Sequence, residues 1–408
     1  MAHLDVPTFL GLFVAVLAAA KLGAALARQV GQPAVLGELL AGVVLGLSVL
    51  GLLDPGQESF HLLAELGVVI LLFEIGLETD LTQLLRVGAA SSVVAVTGVA
   101  LPFGTGYAAC RLLGQPDLVA VVAGAALTAT SVGITARVLA DLGRLREPES
   151  QIVLGAAVID DVIGLVILTV VTGVTQGHGV TLASVSQATA LAFGFLFAAL
   201  VLGQWLVPAL VRTVRRADLP GNMVVFPILI ALGLAWAAAR VGSAPIIGAF
   251  AAGLLLHRSG HLHEIKRGIR PLGHIFVPLF FVTVGAAVDV RVLTPLDPAN
   301  RPTLALGGVL IAVAVVSKFA AGYAPVWFRG KKSVIGVGMI PRGEVGLIFA
   351  QMGLASGVFD RAQFSAVTLM VMATTFLAPP LLKLLLPPRR ERPAAEMNDG
   401  VADLVANG

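Results

Sequence analysis

The chain has 408 residues, of which 57% are hydrophobic and only 12% charged, and its mean hydropathy is +0.94. A soluble domain carries about 25% charged residues, so this composition excludes one and calls for a polytopic membrane protein. The formal net charge of +3 says little, because the charges lie in loops, and no nucleic-acid partner is expected; the single cysteine, Cys110, excludes an internal disulfide or a cysteine metal cluster.

The chain opens on Met1-Ala-His-Leu-Asp5, which lacks the basic start of a signal peptide. The apolar run that follows is long enough to span ~30 Å of hydrocarbon, which predicts a retained first helix. Apolar runs parted by Pro, Gly and charge predict thirteen transmembrane helices. They cover about 6–27, 33–52, 59–78, 87–112, 117–140, 150–172, 181–211, 222–240, 244–256, 269–288, 302–325, 333–355 and 362–386. Loops after odd helices hold eighteen Lys and Arg, among them Arg137, Arg144 and Arg146 after the fifth; loops after even helices hold five. That bias predicts an N-terminus outside, a C-terminus in the cytoplasm and a multi-pass protein of the plasma or inner membrane. Residues 387–408 are then a short cytoplasmic tail.

The two halves resemble each other. Pro33-Ala-Val-Leu-Gly37 through Gly42 parallels Pro245-Ile-Ile-Gly248 through Gly253, and Phe73-Glu-Ile-Gly76 through Asp80 parallels Phe281-Val-Thr-Val-Gly285 through Asp289. Six helices, a linker helix over 181–211 and six more place the halves in opposite orientation, the inverted-repeat plan of secondary transporters. Two helices at corresponding positions are expected to be broken. The fifth carries Thr128-Ala-Thr-Ser-Val-Gly-Ile-Thr135, and the twelfth carries Gly338-Met-Ile-Pro-Arg-Gly-Glu-Val-Gly346, where Pro341 removes a backbone donor. Unpaired backbone at membrane depth is tolerated only where it lines a polar cavity.

The sixth helix carries adjacent acids, Asp160 and Asp161, within an otherwise apolar run. A carboxylate at that depth costs roughly 2.5–3.5 kcal/mol on insertion scales, so two in succession point to ion or proton handling. Consecutive helical residues point about 100° apart, so one acid faces the ion path and the other a neighbouring helix; the sequence leaves their order open. Lys318 is the natural neighbour, because an ammonium buried in lipid must pair or lose its proton. Thr130 and Ser131 offer hard oxygen ligands suited to sodium. Arg342 and Glu344 add polarity to the second break, and Glu78 closes the third helix as either a site residue or a boundary charge. Glu38 and Glu74 have no evident partner in the sequence. His257, His261, His263 and His274 surround a basic cytoplasmic loop, which reads as solvated, with pH sensing or metal binding as the sharper alternatives.

Taken together, Gly31-Gln-Pro-Ala-Val-Leu-Gly-Glu38, Phe73-Glu-Ile-Gly-Leu-Glu78, Thr128 through Ala136, Ala157-Val-Ile-Asp-Asp161, Val316-Ser-Lys318 and Pro341-Arg-Gly-Glu344 resemble the monovalent cation:proton antiporters of the second family. Within it they most resemble the NapA-type sodium/proton antiporters. The resemblance spans about residues 6–386 and implies Asp161 as the ion-binding carboxylate, holding Na⁺, and Asp160 as the partner of Lys318. It further implies a homodimer in which a moving core, helices within 87–172 and 302–386, works against a dimerisation part, helices within 6–78 and 222–288. The expected activity is exchange of sodium or lithium for protons, electrogenic, with no cofactor and no enzymatic step. Potassium/proton exchange is the runner-up, since cavity size decides the cation. An intramembrane aspartyl protease needs two carboxylates sharing a proton from separate helices, and adjacent, divergent acids do not supply that. A channel is disfavoured by the acid–lysine pairing.

Overall fold

The computed structural model describes residues 5–79, 81–175, 222–241, 244–257, 261–288, 290–293 and 300–386, with Ser259 and parts of 190–205. Among the described residues every regular element is helical, with fifteen α-helices. In the first half these are α1 (Val6–Gln29), α2 (Ala34–Leu45), α3 (Glu58–Glu78), α4 (Leu81–Arg86), α5 (Gly88–Leu112), α6 (Asp117–Ala126), α7 (Val132–Asp141) and α8 (Pro148–Thr175). The second half contributes α9 (Asn222–Arg240), α10 (Pro245–His257), α11 (Leu262–Ala286), α12 (Arg301–Ala321), α13 (Lys332–Gly338), α14 (Glu344–Ala355) and α15 (Arg361–Leu385). Six of them, α1, α3, α5, α11, α12 and α15, are long and apolar enough to cross a membrane. The protein is a multi-pass, all-helical membrane protein.

The expected fifth helix is α6 and α7, and the expected twelfth is α13 and α14. With those pairs joined and the six-residue α4 set aside, the helices account for twelve of the thirteen expected segments. The linker expected over 181–211 lies largely outside the described residues, as do Asp80, Asp289, the Arg212–Arg216 loop and the tail. Two expected boundaries are corrected. The second helix, expected to reach residue 52, stops at Leu45, because Gly46 turns extended and bridges to Leu53. The tenth, expected from residue 269, starts at Leu262, so Lys266, Arg267 and Arg270 ride on its first turns and not in a loop. Charge in that stretch broke the apolar run in the sequence, but long basic side chains can snorkel from a helix end.

Local chemistry sets several ends. Asp360 and Gln363 form a reciprocal capping box that starts α15, with Gln363 N donating to Asp360 Oδ1 at 2.7 Å and Asp360 N donating to Gln363 Oε1 at 2.9 Å. Pro148 opens α8 where its missing donor is not needed.

Lipid is as apolar as leucine, so the helices associate through close packing. Glycine makes that approach possible. Gly42 of α2 meets the backbone of Val282 and Gly285 on α11, and Gly253 of α10 meets that of Phe73 and Gly76 on α3. A Cβ at either position would overlap main chain. These contacts bind α2, α3, α10 and α11 into one group, with α1 on α2 and α9 on α10. A second group joins α5, α6, α8, α12, α14 and α15, around Val119, Ala123, Leu310, Phe349, Val367 and Met370. The half-helix α7 lies along the seam: its Val132, Ile134 and Leu139 share one apolar cluster with Leu39 of α2 and Leu71 and Leu72 of α3.

Candidate ion-binding site

Both half-helix pairs break where the sequence weakens them, and the breaks meet. Residues 127–131 separate α6 from α7, and 339–343 separate α13 from α14. Ser131 N donates to Pro341 O at 2.9 Å, and Thr135 Oγ1 donates to Gly338 O at 2.7 Å. The two breaks therefore bring together half-helix ends whose carbonyl and N–H groups lack partners within their own helices.

Acids and a cation from two other elements gather there. Asp160, near the middle of α8, is buried, and its Oδ2 accepts from Lys318 Nζ of α12 at 3.2 Å. The same ammonium donates to Thr130 Oγ1 in the first break at 2.7 Å. Lys318 has no exposed surface, and Gly98 of α5 leaves room for it: a Cβ at Gly98 would stand 3.3 Å from Nζ. Asp161, one residue on, is half-buried and points elsewhere around α8. Among buried polar atoms, Asp160 Oδ1 and Ser131 Oγ have no hydrogen-bond partner. Such oxygens at membrane depth are costly unless something charged or wet reaches them. The donor set of carboxylate and hydroxyl oxygens is hard and anionic, which suits an alkali cation.

The remaining expected residues divide. Arg342 is fully buried in the second break, where its NH1 donates to Met339 O at 3.1 Å and Ile340 O at 3.0 Å. Thr375 Oγ1 of α15 donates in turn to the Arg342 carbonyl. Glu344 opens α14, but its side chain lies outside the described residues. Glu78 stands apart from this cluster, in an ion pair with Lys266 of α11 at 3.6 Å. Thr128, and not Thr130, bonds back to a helix carbonyl, that of Ala125. In the histidine region, His257 Nδ1 lies 3.0 Å from Leu77 O and His261 pairs with Glu264, and no set of His, Cys, Asp or Glu among the described residues could hold a metal.

A second charged cluster was not legible in the sequence. Arg137, counted above as a loop residue, belongs to α7 and is largely buried. It pairs with Asp141 at 3.3 Å, and its charge acts on Glu38 of α2 and Glu74 of α3. The Glu74 carboxylate rests on Gly273 of α11. The i,i+4 spacing of Arg137 and Asp141 was the one available signal.

A family model described as the transmembrane sodium/hydrogen exchanger matches residues 13–387. The chain belongs to that exchanger family. Its members are secondary transporters and not enzymes. Among the relatives, the high-affinity Na⁺/H⁺ antiporter NhaS3 of Synechocystis is 40% identical over 403 residues, covering 90% of this chain and 87% of the relative. The Na⁺/H⁺-K⁺ antiporter GerN of Bacillus cereus is 35% identical over 374 residues, covering 90% and 94%. The fold is similar to that of the sodium proton antiporter MjNhaP1 of Methanocaldococcus jannaschii, with a TM-score of 0.68 at 18% identity over 95% of this chain and all of that one.

Proposed function

We propose that this exchanger-family protein moves sodium, or lithium, against protons by alternating access, with Asp161 as the shared cation and proton site. One observation carries the reading: the fully buried Lys318 ammonium is bound at once to Asp160 Oδ2 and Thr130 Oγ1 where the two breaks cross. Any cation that draws Asp160 or Thr130 toward itself strips Lys318 of acceptors, and a buried ammonium without acceptors favours losing its proton. Sodium at Asp161 displaces one proton, and Lys318 surrenders a second. The cycle then exchanges two protons for one sodium and moves net charge, so a membrane potential drives it. Thr130, Ser131 and the unpartnered Asp160 Oδ1 are the oxygens that complete the cation's shell.

The double acid with an intramembrane lysine supports placement among the NapA-type exchangers. The glycine-packed group α1–α3 with α9–α11 serves as the dimerisation part of a homodimer. The α5–α8 and α12–α15 group serves as the moving core, the halves being inverted repeats. The N-terminus lies outside and the C-terminus in the cytoplasm. Potassium exchange is kept as a second reading because GerN, whose name includes potassium, is a relative over nearly the same span. The deciding experiment is exchange in proteoliposomes with sodium, lithium and potassium compared over about pH 6–9. Sodium- and lithium-driven proton flux is expected, and a response to potassium alone favours the second reading.

A further inference from the structure

Among the described residues, Arg342 is a fully buried charge that the exchange scheme above leaves unused. Its NH1 is held by the carbonyls of Met339 and Ile340, at the C-terminal end of α13, while its Nε and NH2 are buried with no partner. The charges acting across the site from it are Asp160 and Lys318. Half-helix carbonyls freed at a break are themselves ligands for an alkali cation. Here a guanidinium already occupies them, tethered and permanently charged.

We infer that Arg342 is an affinity-setting positioning residue, a resident cation that takes the carbonyls of the second break and opposes sodium at the aspartates. It thereby confines the transported ion to the first break and keeps it weakly enough held to leave. A transported ion must bind well enough to enter and poorly enough to exit, and a fixed like charge beside the site lowers the first to gain the second. This rests on the proposed sodium site at Asp161.

The test separates charge from capping. R342Q keeps a donor for the carbonyls and loses the charge; R342K keeps the charge; R342M loses both. Sodium affinity is read at alkaline pH, where protons compete least, from the sodium-induced rise in melting temperature of the purified protein and from the apparent KM in proteoliposomes. R342Q is expected to bind sodium about three- to tenfold more tightly than wild type, with a lower maximal rate, by removal of one like charge. R342K is expected to bind more weakly than R342Q. Equal affinities in R342Q and R342K, or weaker binding in R342Q, overturn the inference and leave Arg342 a helix cap. R342M, if it unfolds, leaves the Gln–Lys comparison intact. D161N run beside them tests the sodium site itself: sodium stabilisation that survives in D161N defeats the site, whatever Arg342 does.

Discussion

Ser131 and Pro341 are joined backbone to backbone, the Ser131 N–H donating to the Pro341 carbonyl at 2.9 Å, although 210 positions separate them. Each residue lies in the unwound stretch of its own broken helix. One break thus supplies part of what the other lacks, while Lys318 donates to Thr130 in the first break and Arg342 to Met339 and Ile340 in the second. In lipid an isolated break is prohibitive, and a pair of breaks that satisfy each other around a charged pocket is not.

Asp161→Asn is expected to abolish cation-dependent proton flux while the protein keeps its melting temperature within a few degrees. The amide keeps the shape and removes both the charge and the exchangeable proton. Proteoliposome flux near the wild-type rate would remove Asp161 from the site.

Thr130→Val deletes the hydroxyl that accepts from Lys318 and keeps the side-chain shape. The buried ammonium then keeps Asp160 and loses its hydroxyl acceptor, a loss of about 1–3 kcal/mol. A lower melting temperature and a raised apparent KM for sodium are both expected, with Thr130→Ser recovering most of each. An unchanged KM alongside the lower stability would give Thr130 a structural role alone.

Charge movement depends on Lys318. A potassium-diffusion potential set with valinomycin across liposomes, without a sodium gradient, should drive sodium accumulation that follows the sign of the potential. Lys318→Gln should reduce that response, since the second proton has no carrier. A full response in the variant would place the moved charge elsewhere and leave Asp160–Lys318 as a structural pair.

Arg137 of α7, paired with Asp141, is the cation on that helix whose charge acts on Glu38 and Glu74. Arg137→Gln removes the largest of the positive charges that act on the buried Glu38, and a lower melting temperature is expected. The Glu38→Gln/Arg137→Gln double variant is expected to melt higher than Arg137→Gln, because the uncompensated acid is gone. Strict additivity of the two single changes in thermal unfolding would show that the groups do not interact.

Much of this protein was legible in its residues. Lipid penalises charge and unpaired backbone so heavily that the acids at 160 and 161, the lysine at 318 and the breaks at 128–131 and 339–343 stand out from apolar surroundings. The paired glycines at 42 and 253, and at 76 and 285, were visible as a repeat, and in the fold Gly42 packs on Gly285 as Gly253 packs on Gly76. Tertiary structure alone decided which aspartate takes Lys318. Adjacent helical residues differ only in direction, and direction acquires meaning from the neighbouring helix, here α12 on the Asp160 side. It also decided that Arg137, paired with Asp141 on its own helix, lies within electrostatic reach of Glu38 and Glu74, since those acids sit on α2 and α3, far away in the chain. Cost in lipid is a property of single residues and is written locally, whereas pairing is a property of helix packing and exists only once the helices have met.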